Sequence, residues 1–265
     1  MDDFWNQVLD FAETTADRVG QKLLQDFGSV VAERKGDGSL VTRADRWADQ
    51  ELRQAIATTF PSHGVLSEEG DHRFPPREWC WIIDPIDGTS NFTFGIPMWG
   101  ISLGLLYCGT PIFGYVYLPS LNQAFYGFWY GSSNLTGPQG AFCNHRPIAP
   151  VTDATESQRF FNVCARSTQY IPRLPYKVRM VGMAAYNFLM VASGISTAGL
   201  EATPRIWDIA AAWVIVHAAG AIWVPLGSDN YFPLQVGQDY SSRPYRTLVV
   251  NRTELAEKIR PLVEG

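Results

Sequence analysis

The segment Met98–Leu118 carries no charged side chain. A run of that length is about enough to span a bilayer, so it forces a choice between a membrane helix and a buried pair of strands. Gly100, Gly104, Gly109, Pro111 and Gly114 interrupt it. Cys108-Gly109-Thr110-Pro111 reads as a turn between two strands, Ile101–Tyr107 and Ile112–Leu118. With those breakers the reading is a buried hairpin, and no membrane association is expected.

Around that hairpin the periodicity predicts alternating helices and strands. Trp5–Phe27 reads as a helix closed by Gly28, and Arg43–Thr59 as a second helix capped by Thr42 and ended by Pro61. His63–Ser67 and Trp79–Ile83 are strand candidates, the second ended by Asp84-Pro85. Ala124–Tyr130 is another strand, and Gly131–Gly140 is a polar loop. Further on, Arg159–Cys164, Ile195–Glu201, Ala221–Val224 and Thr247–Val250 read as strands. Ala184–Ser193, Trp207–Ala219 and Thr253–Val263 read as helices. A soft border near residue 150 divides residues 1–150 from residues 151–265 as two subdomains of one compact unit.

Composition narrows the function classes. A chain of 265 residues with 46% hydrophobic content can build one substantial core. The net charge of −5 and the absence of a long Lys/Arg run argue against a nucleic-acid partner. The same negative balance is awkward for an anionic substrate unless metal ions supply local positive charge. The four cysteines show no metal spacing and read as small buried residues in a reducing compartment, and the acidic N-terminus lacks a signal-peptide pattern. The expected location is cytoplasmic. No nucleophilic-serine or nucleotide-loop motif is present.

The acids carry the chemistry. In Trp81-Ile82-Ile83-Asp84-Pro85-Ile86-Asp87-Gly88-Thr89 a buried strand delivers one carboxylate at its end and a turn delivers a second. Read alone, Asp84 and Asp87 are also ordinary turn chemistry. Glu68-Glu69 reads alone as a solvated loop pair. Asp208 lies in the first turn of a nearly all-apolar helix, as a dipole partner or a metal ligand. Asp45 is a first-turn acid, and Lys35 reads as a surface lysine. The four histidines are scattered without metal spacing. If Glu68, Asp84, Asp87 and Asp208 converge, an all-oxygen set suits Mg²⁺, Mn²⁺ or Ca²⁺.

Five motifs occur in order: Leu40-Val41-Thr42-Arg43-Ala44-Asp45, Ser67-Glu68-Glu69, Trp81 through Phe92, Gly140 through Asn144 with Gly182-Met183-Ala184-Ala185, and Trp207-Asp208-Ile209-Ala210-Ala211. Together they resemble the inositol monophosphatase family of lithium-sensitive, metal-dependent phosphomonoesterases. The resemblance implies an α/β fold of the α+β type, a layered αβαβα sandwich, and a homodimer. It implies two or three Mg²⁺ ions, one held by Glu68, Asp84 and the Ile86 carbonyl, the next by Asp84, Asp87 and Asp208, and a third supported by Glu68. Thr89 and Asp45 would orient and deprotonate the attacking water, and the Gly88 and Thr89 amides would meet the phosphate. Lys35 would be a basic residue near the site. Gly182, Met183, Ala184 and Glu201 would read the substrate. Met183 stands where the family carries a small hydroxyl residue, and Asn187 where many members carry Asp. Asn91 points to the inositol branch. The substrates implied are inositol monophosphate or a related small phosphomonoester, then histidinol phosphate, fructose 1,6-bisphosphate or phosphoadenosine nucleotides. A catalytically silent binding partner is the alternative of another class.

Overall fold

A helix start needs acceptors for its first amides, and Thr42 supplies one. In the computed structural model its hydroxyl accepts from the amides of Ala44 (3.0 Å) and Asp45 (3.4 Å), and Asp45 Oδ2 accepts the Thr42 amide at 2.7 Å. This reciprocal cap begins helix α2 (Arg43–Thr59), where the sequence places it. The structure describes residues 2–34, 36, 40–152, 159–227 and 230–264; Lys35 lies outside them.

Helix α1 (Asp2–Asp26) and α2 bury Val8, Ala12, Val19, Leu23, Ala48 and Leu52 against one face of a seven-stranded sheet. Strands β1 (Glu33–Arg34) and β2 (Leu40–Val41) pair with each other as a separate two-stranded sheet among the described residues. The sheet runs in chain order through β3 (Gly64–Ser67), β4 (Trp79–Asp87), β5 (Gly100–Tyr107), β6 (Thr110–Leu118), β7 (Gln123–Phe128), β8 (Gly140–Cys143) and β9 (Arg146–Pro147). The uncharged run is therefore the β5–β6 hairpin, and among the described residues no helix is long and apolar enough to cross a membrane. A five-residue helix, α3 (Thr89–Thr93), follows β4.

The second half contributes β10 (Phe160–Val163), β11 (Lys177–Arg179), α4 (Ala184–Ala192), β12 (Ser196–Glu201), α5 (Ile206–Ala219), β13 (Ile222–Pro225), β14 (Thr247–Val250) and α6 (Thr253–Val263). Its strands form a five-stranded sheet ordered β11-β10-β12-β14-β13. Helices α4 and α5 fill the layer between the two sheets, which explains why both are apolar all round. Helix α6 covers the far face of the second sheet through Leu255, Ile259 and Val263. The layers thus run helix, sheet, helix, sheet, helix, an αβαβα sandwich.

Helix α5 approaches the first sheet closely because that sheet presents glycines to it. Gly104, Gly114 and Gly127 are paired neighbours on β5, β6 and β7. A Cβ on Gly114 would lie 2.2 Å from the Ala211 carbonyl oxygen, and one on Gly127 3.1 Å from the Ile215 Cα. Helix backbone therefore rests on strand backbone, and this height sets where Asp208 enters the site.

Three local expectations needed correction. Strand β4 does not end at Asp84 but continues to Asp87, and β8 occupies a stretch assigned to no strand. The cysteines are all free thiols, but only Cys80 is buried; Cys108 is exposed on the hairpin turn, and Cys143 and Cys164 are half-buried.

His63 stacks between Phe60 (4.7 Å) and Trp79 (5.8 Å), and its Nδ1 accepts the Trp81 indole N–H at 3.2 Å. Burial lowers its pKa to about 4, and burial does the same to His217, which stacks on Trp129. A histidine lowered by folding stabilises the native state above its ordinary value near 6.5, and that contribution is lost as pH falls from there towards about 4. Buried acids such as Asp87 and Glu201, raised to about 7, act in the opposite sense over this window, so the histidine share is read by difference. The melting temperature of His63→Gln combined with His217→Gln should gain on wild type as pH falls from about 6.5 towards about 4 in parallel thermal melts; an unchanged difference would remove both histidines from the pH dependence.

Candidate active site

An uninterrupted strand sends side chains three apart to opposite faces. Asp84 and Asp87 escape this because β4 is irregular between them: Asp84 pairs with Ser102 and Asp87 with Gly100, three steps on β4 against two on β5. The extra residue turns both carboxylates to one side. Asp208, at the third position of α5, comes down beside them. One carboxylate oxygen from each of Asp84, Asp87 and Asp208 lies within 4.8 Å of the others. Glu68, just past the end of β3, faces the same cluster closely enough to oppose ionisation of all three.

These acids are individually anchored. Asp84 Oδ1 accepts the Ile86 amide at 3.0 Å. Asp87 accepts the amides of Ala184 (3.2 Å) and Ala185 (2.7 Å), so it caps α4 from the other half of the chain. Asp208 Oδ2 accepts the Arg205 amide at 2.7 Å. Burial, reinforced by neighbouring carboxylates, pushes Asp84 and Asp208 well above the usual carboxylate range, and one hydrogen-bonds to the other. Burial also lifts Asp87 to about 7, against the two amides that hold it. Buried acids that repel one another call for a cation, and an all-carboxylate donor set with the Ile86 carbonyl beside it fits a hard divalent ion.

Next to the cluster, Thr89 Oγ1 lies 3.2 Å from Asp45 Oδ1 and 3.1 Å from the Ile86 carbonyl oxygen. The other Asp45 oxygen is occupied by the Thr42 amide and hydroxyl (2.7 and 2.6 Å). Asp45 is 1% exposed, and burial raises its pKa. It is thus a poised acceptor aimed at Thr89. Gly88, at φ +91°, makes the turn into α3; a Cβ there would meet the Met98 carbonyl oxygen at 3.0 Å.

Glu201 is buried, accepts a short hydrogen bond from Asn187 Nδ2, and is raised to about 7 by burial, with Asp87 near enough to add to the shift. Met183 turns its side chain into the core at 1% exposure. Gly182 precedes it in the left-handed region, and Ala184 offers its amide to Asp87.

Asp49 escaped the sequence reading, and Asn91, read there as a marker of the inositol branch, has a positioning role that reading did not give. Asp49, buried on α2, accepts a short hydrogen bond from the Ser67 hydroxyl and so holds the chain next to Glu68. The available signal was an acid one turn after Asp45, on the same face as Ala48 and Leu52. Asn91 donates to the carbonyls of Met98 and Val181, both at 2.7 Å, tying the loop after α3 to the Gly182 segment; nothing local marks that contact.

The model of the inositol monophosphatase family matches residues 5–264. The chain belongs to that family. It is accordingly a phosphatase, a phosphoric monoester hydrolase. The "Fructose-1,6-bisphosphatase/inositol-1-monophosphatase" of Aquifex aeolicus is 30% identical over 236 residues, covering 83% of this chain and 86% of that protein. "Inositol monophosphatase 1" of Bos taurus is 29% identical over 279 residues, covering 98% and 95%. Among solved structures, the Thermotoga maritima IMPase superposes with a TM-score of 0.81 at 28% identity, covering 96% of each chain. The family match across both halves agrees with a site whose acids come from both.

Proposed function

We propose that this family member is a Mg²⁺-dependent phosphatase of inositol monophosphate or a closely related small phosphomonoester. The observation that carries this reading is the meeting of Asp84, Asp87 and Asp208 within 4.8 Å. Glu68, Asp84, Asp87, Asp208 and the Ile86 carbonyl are the groups to hold two or three ions. Bound there, Mg²⁺ lowers the pKa of water and neutralises charge on the phosphoryl and leaving oxygens.

The chain's own residues supply positioning and proton movement. The Gly88 and Thr89 amides, at the start of α3 and without acceptors inside that helix, bind phosphate oxygens. Thr89 Oγ1 takes the attacking water's proton as its own passes to Asp45 Oδ1, the water oxygen displaces the alkoxide in line, and the alkoxide takes a proton from a second water to leave as the alcohol. No phosphoenzyme forms. Glu201 and the backbone of Gly182, Met183 and Ala184 face the leaving group. The Asn187 amide beside Glu201 donates without adding a second acid, which suits a hydroxyl-bearing ligand.

Phe94 (74%), Ile96 (47%) and Met180 (57%) are exposed apolar side chains on the two segments tied by Asn91, and they support a homodimer through this patch. Four free thiols support the reducing cytoplasm.

The test is phosphate release from a panel including inositol 1-phosphate, histidinol phosphate, fructose 1,6-bisphosphate and a phosphoadenosine nucleotide, with Mg²⁺ or with chelator. Release in chelator would sink the metal requirement, and preference for another phosphate would move the substrate. Thr89→Ala should lower kcat by about 10²–10⁴-fold, the usual range for losing a positioned proton carrier, whereas Thr89→Ser should retain most of it. Equal rates for the two variants would argue against the hydroxyl relay.

A further inference from the structure

On the opposite side of the first sheet from α5, between α1 and strands β6 and β7, lies a cleft of about 240 Å³. Its floor is aromatic. Tyr115 and Tyr126 are cross-strand partners with nearly parallel rings (21°) and centroids 6.5 Å apart, and Tyr117 stands beside them. Its wall is acidic. Glu13 and Asp17 sit one turn apart on α1 and point into the same space. Like charges at that spacing destabilise a helix, so an occupant of opposite charge would relieve them. Among the described residues no lysine or arginine lines the cleft.

Present partners satisfy these groups in part. Tyr117 donates to Asp17 Oδ1 at 3.3 Å, and His145, 68% exposed at the rim, lies 3.5 Å from Glu13 Oε1 and 3.2 Å from the Tyr126 hydroxyl. Tyr115 is different. It is 3% exposed, lines the cleft, lies within electrostatic reach of both carboxylates, and has no hydrogen-bond partner among the described residues. Its ring is buried while its hydroxyl faces the cleft beside two acids, open to a ligand's donor.

We propose that this cleft binds a small aliphatic ammonium ion, a protonated primary amine of diaminoalkane size. Carboxylates and phenol oxygens accept its N–H groups, and the tyrosine faces accept its charge and methylenes. The aromatic floor separates this ligand from a bare divalent ion, since Mg²⁺ gives up its water reluctantly and prefers oxygen on every side. The volume suits a short amine and excludes a nucleotide.

The experiment is a titration of the full chain, its tyrosines ¹³C-labelled, with 1,4-diaminobutane. Ring resonances assigned by Tyr115→Phe and Tyr126→Phe should shift saturably. Glu13→Gln should weaken binding by about tenfold, the scale of one hydrogen bond to a charged group, with its thermal melt no lower than wild type and its phosphate release unchanged. Neutral 1-butanol should not bind, and Mg²⁺ should not displace the amine. Shifts that stay linear, affinity that Glu13→Gln leaves unaltered, or equal displacement by Mg²⁺ would each overturn the proposal.

Discussion

Replacing Asp84 by Asn should abolish phosphate release while leaving the fold at least as stable as before in the absence of metal. Asn is isosteric and keeps the local contacts: its oxygen still accepts the Ile86 amide, and its amide still donates towards Asp208. What disappears is the capacity to carry a negative charge at a position 1% exposed among Asp87, Asp208 and Glu68. Without a cation that charge is a liability, because an unpaired buried carboxylate is costly and its neighbours repel it. With a cation bound, Asp84 would be one of the carboxylates that hold it. The rate should therefore fall by roughly 10³-fold or more, the scale of losing a preorganised electrostatic contact in a closed site. Thermal melts make the test two-sided. Wild type should gain stability on adding Mg²⁺ in proportion to occupancy, and Asp84→Asn should gain little. Retained turnover would remove Asp84 from its central role, and a lower melting temperature in chelator would mean that its charge stabilises the fold.

Gly114→Ala should have the largest effect on stability. The added Cβ would lie 2.2 Å from the Ala211 carbonyl oxygen, 2.8 Å from its carbon and 2.9 Å from its Cα. All three are backbone atoms of α5, so no rotamer change relieves the clash. Gly104 and Gly127 on either side leave no slack, with neighbours at 3.0–3.1 Å from their own added Cβ positions. Helix and sheet must separate. Overpacking a core costs about 1–3 kcal/mol, and a backbone-to-backbone clash belongs at or above the top of that range. For a chain of this size, about 3 kcal/mol lowers the melting temperature by about 6–12 °C. Lifting α5 also withdraws Asp208, one turn before Ala211, so activity should fall below what the surviving folded fraction accounts for. Gly227, whose Cβ would meet nothing within 4 Å, is the control: Gly227→Ala should melt and turn over like wild type. A Gly114→Ala protein that behaved the same way would refute the glycine seat for α5.

Helices and strands with strong local signals were legible in the chain itself. The reciprocal Thr42–Asp45 cap starts α2 where the sequence reading starts it, and α6 and β14 have the bounds their periodicity predicts. Capping and amphipathic spacing act within a few residues, so a linear reading captures them. The choice of hairpin over membrane helix for Met98–Leu118 is of the same kind, because Gly109 and Pro111 penalise a helix whatever surrounds them.

The acids show where local reading ends. Their residue types and order were visible, and the all-oxygen chemistry followed from them. Which face of β4 carries Asp84 and Asp87 depended on the extra residue between their pairings with Ser102 and Gly100, and that register exists only once β5 is in place. Asp87 as the cap of α4, ninety-seven residues away from Ala184, was invisible for the same reason. Met183 occupies a position the resemblance assigns to substrate reading, and only the fold shows its side chain packed in the core. The sequence alone therefore determined the elements and the chemical character of Asp84-Pro85-Ile86-Asp87-Gly88-Thr89. Only the tertiary structure decided its geometry, because strand register and the seat of α5 on Gly104, Gly114 and Gly127 are set by contacts between residues far apart in the chain.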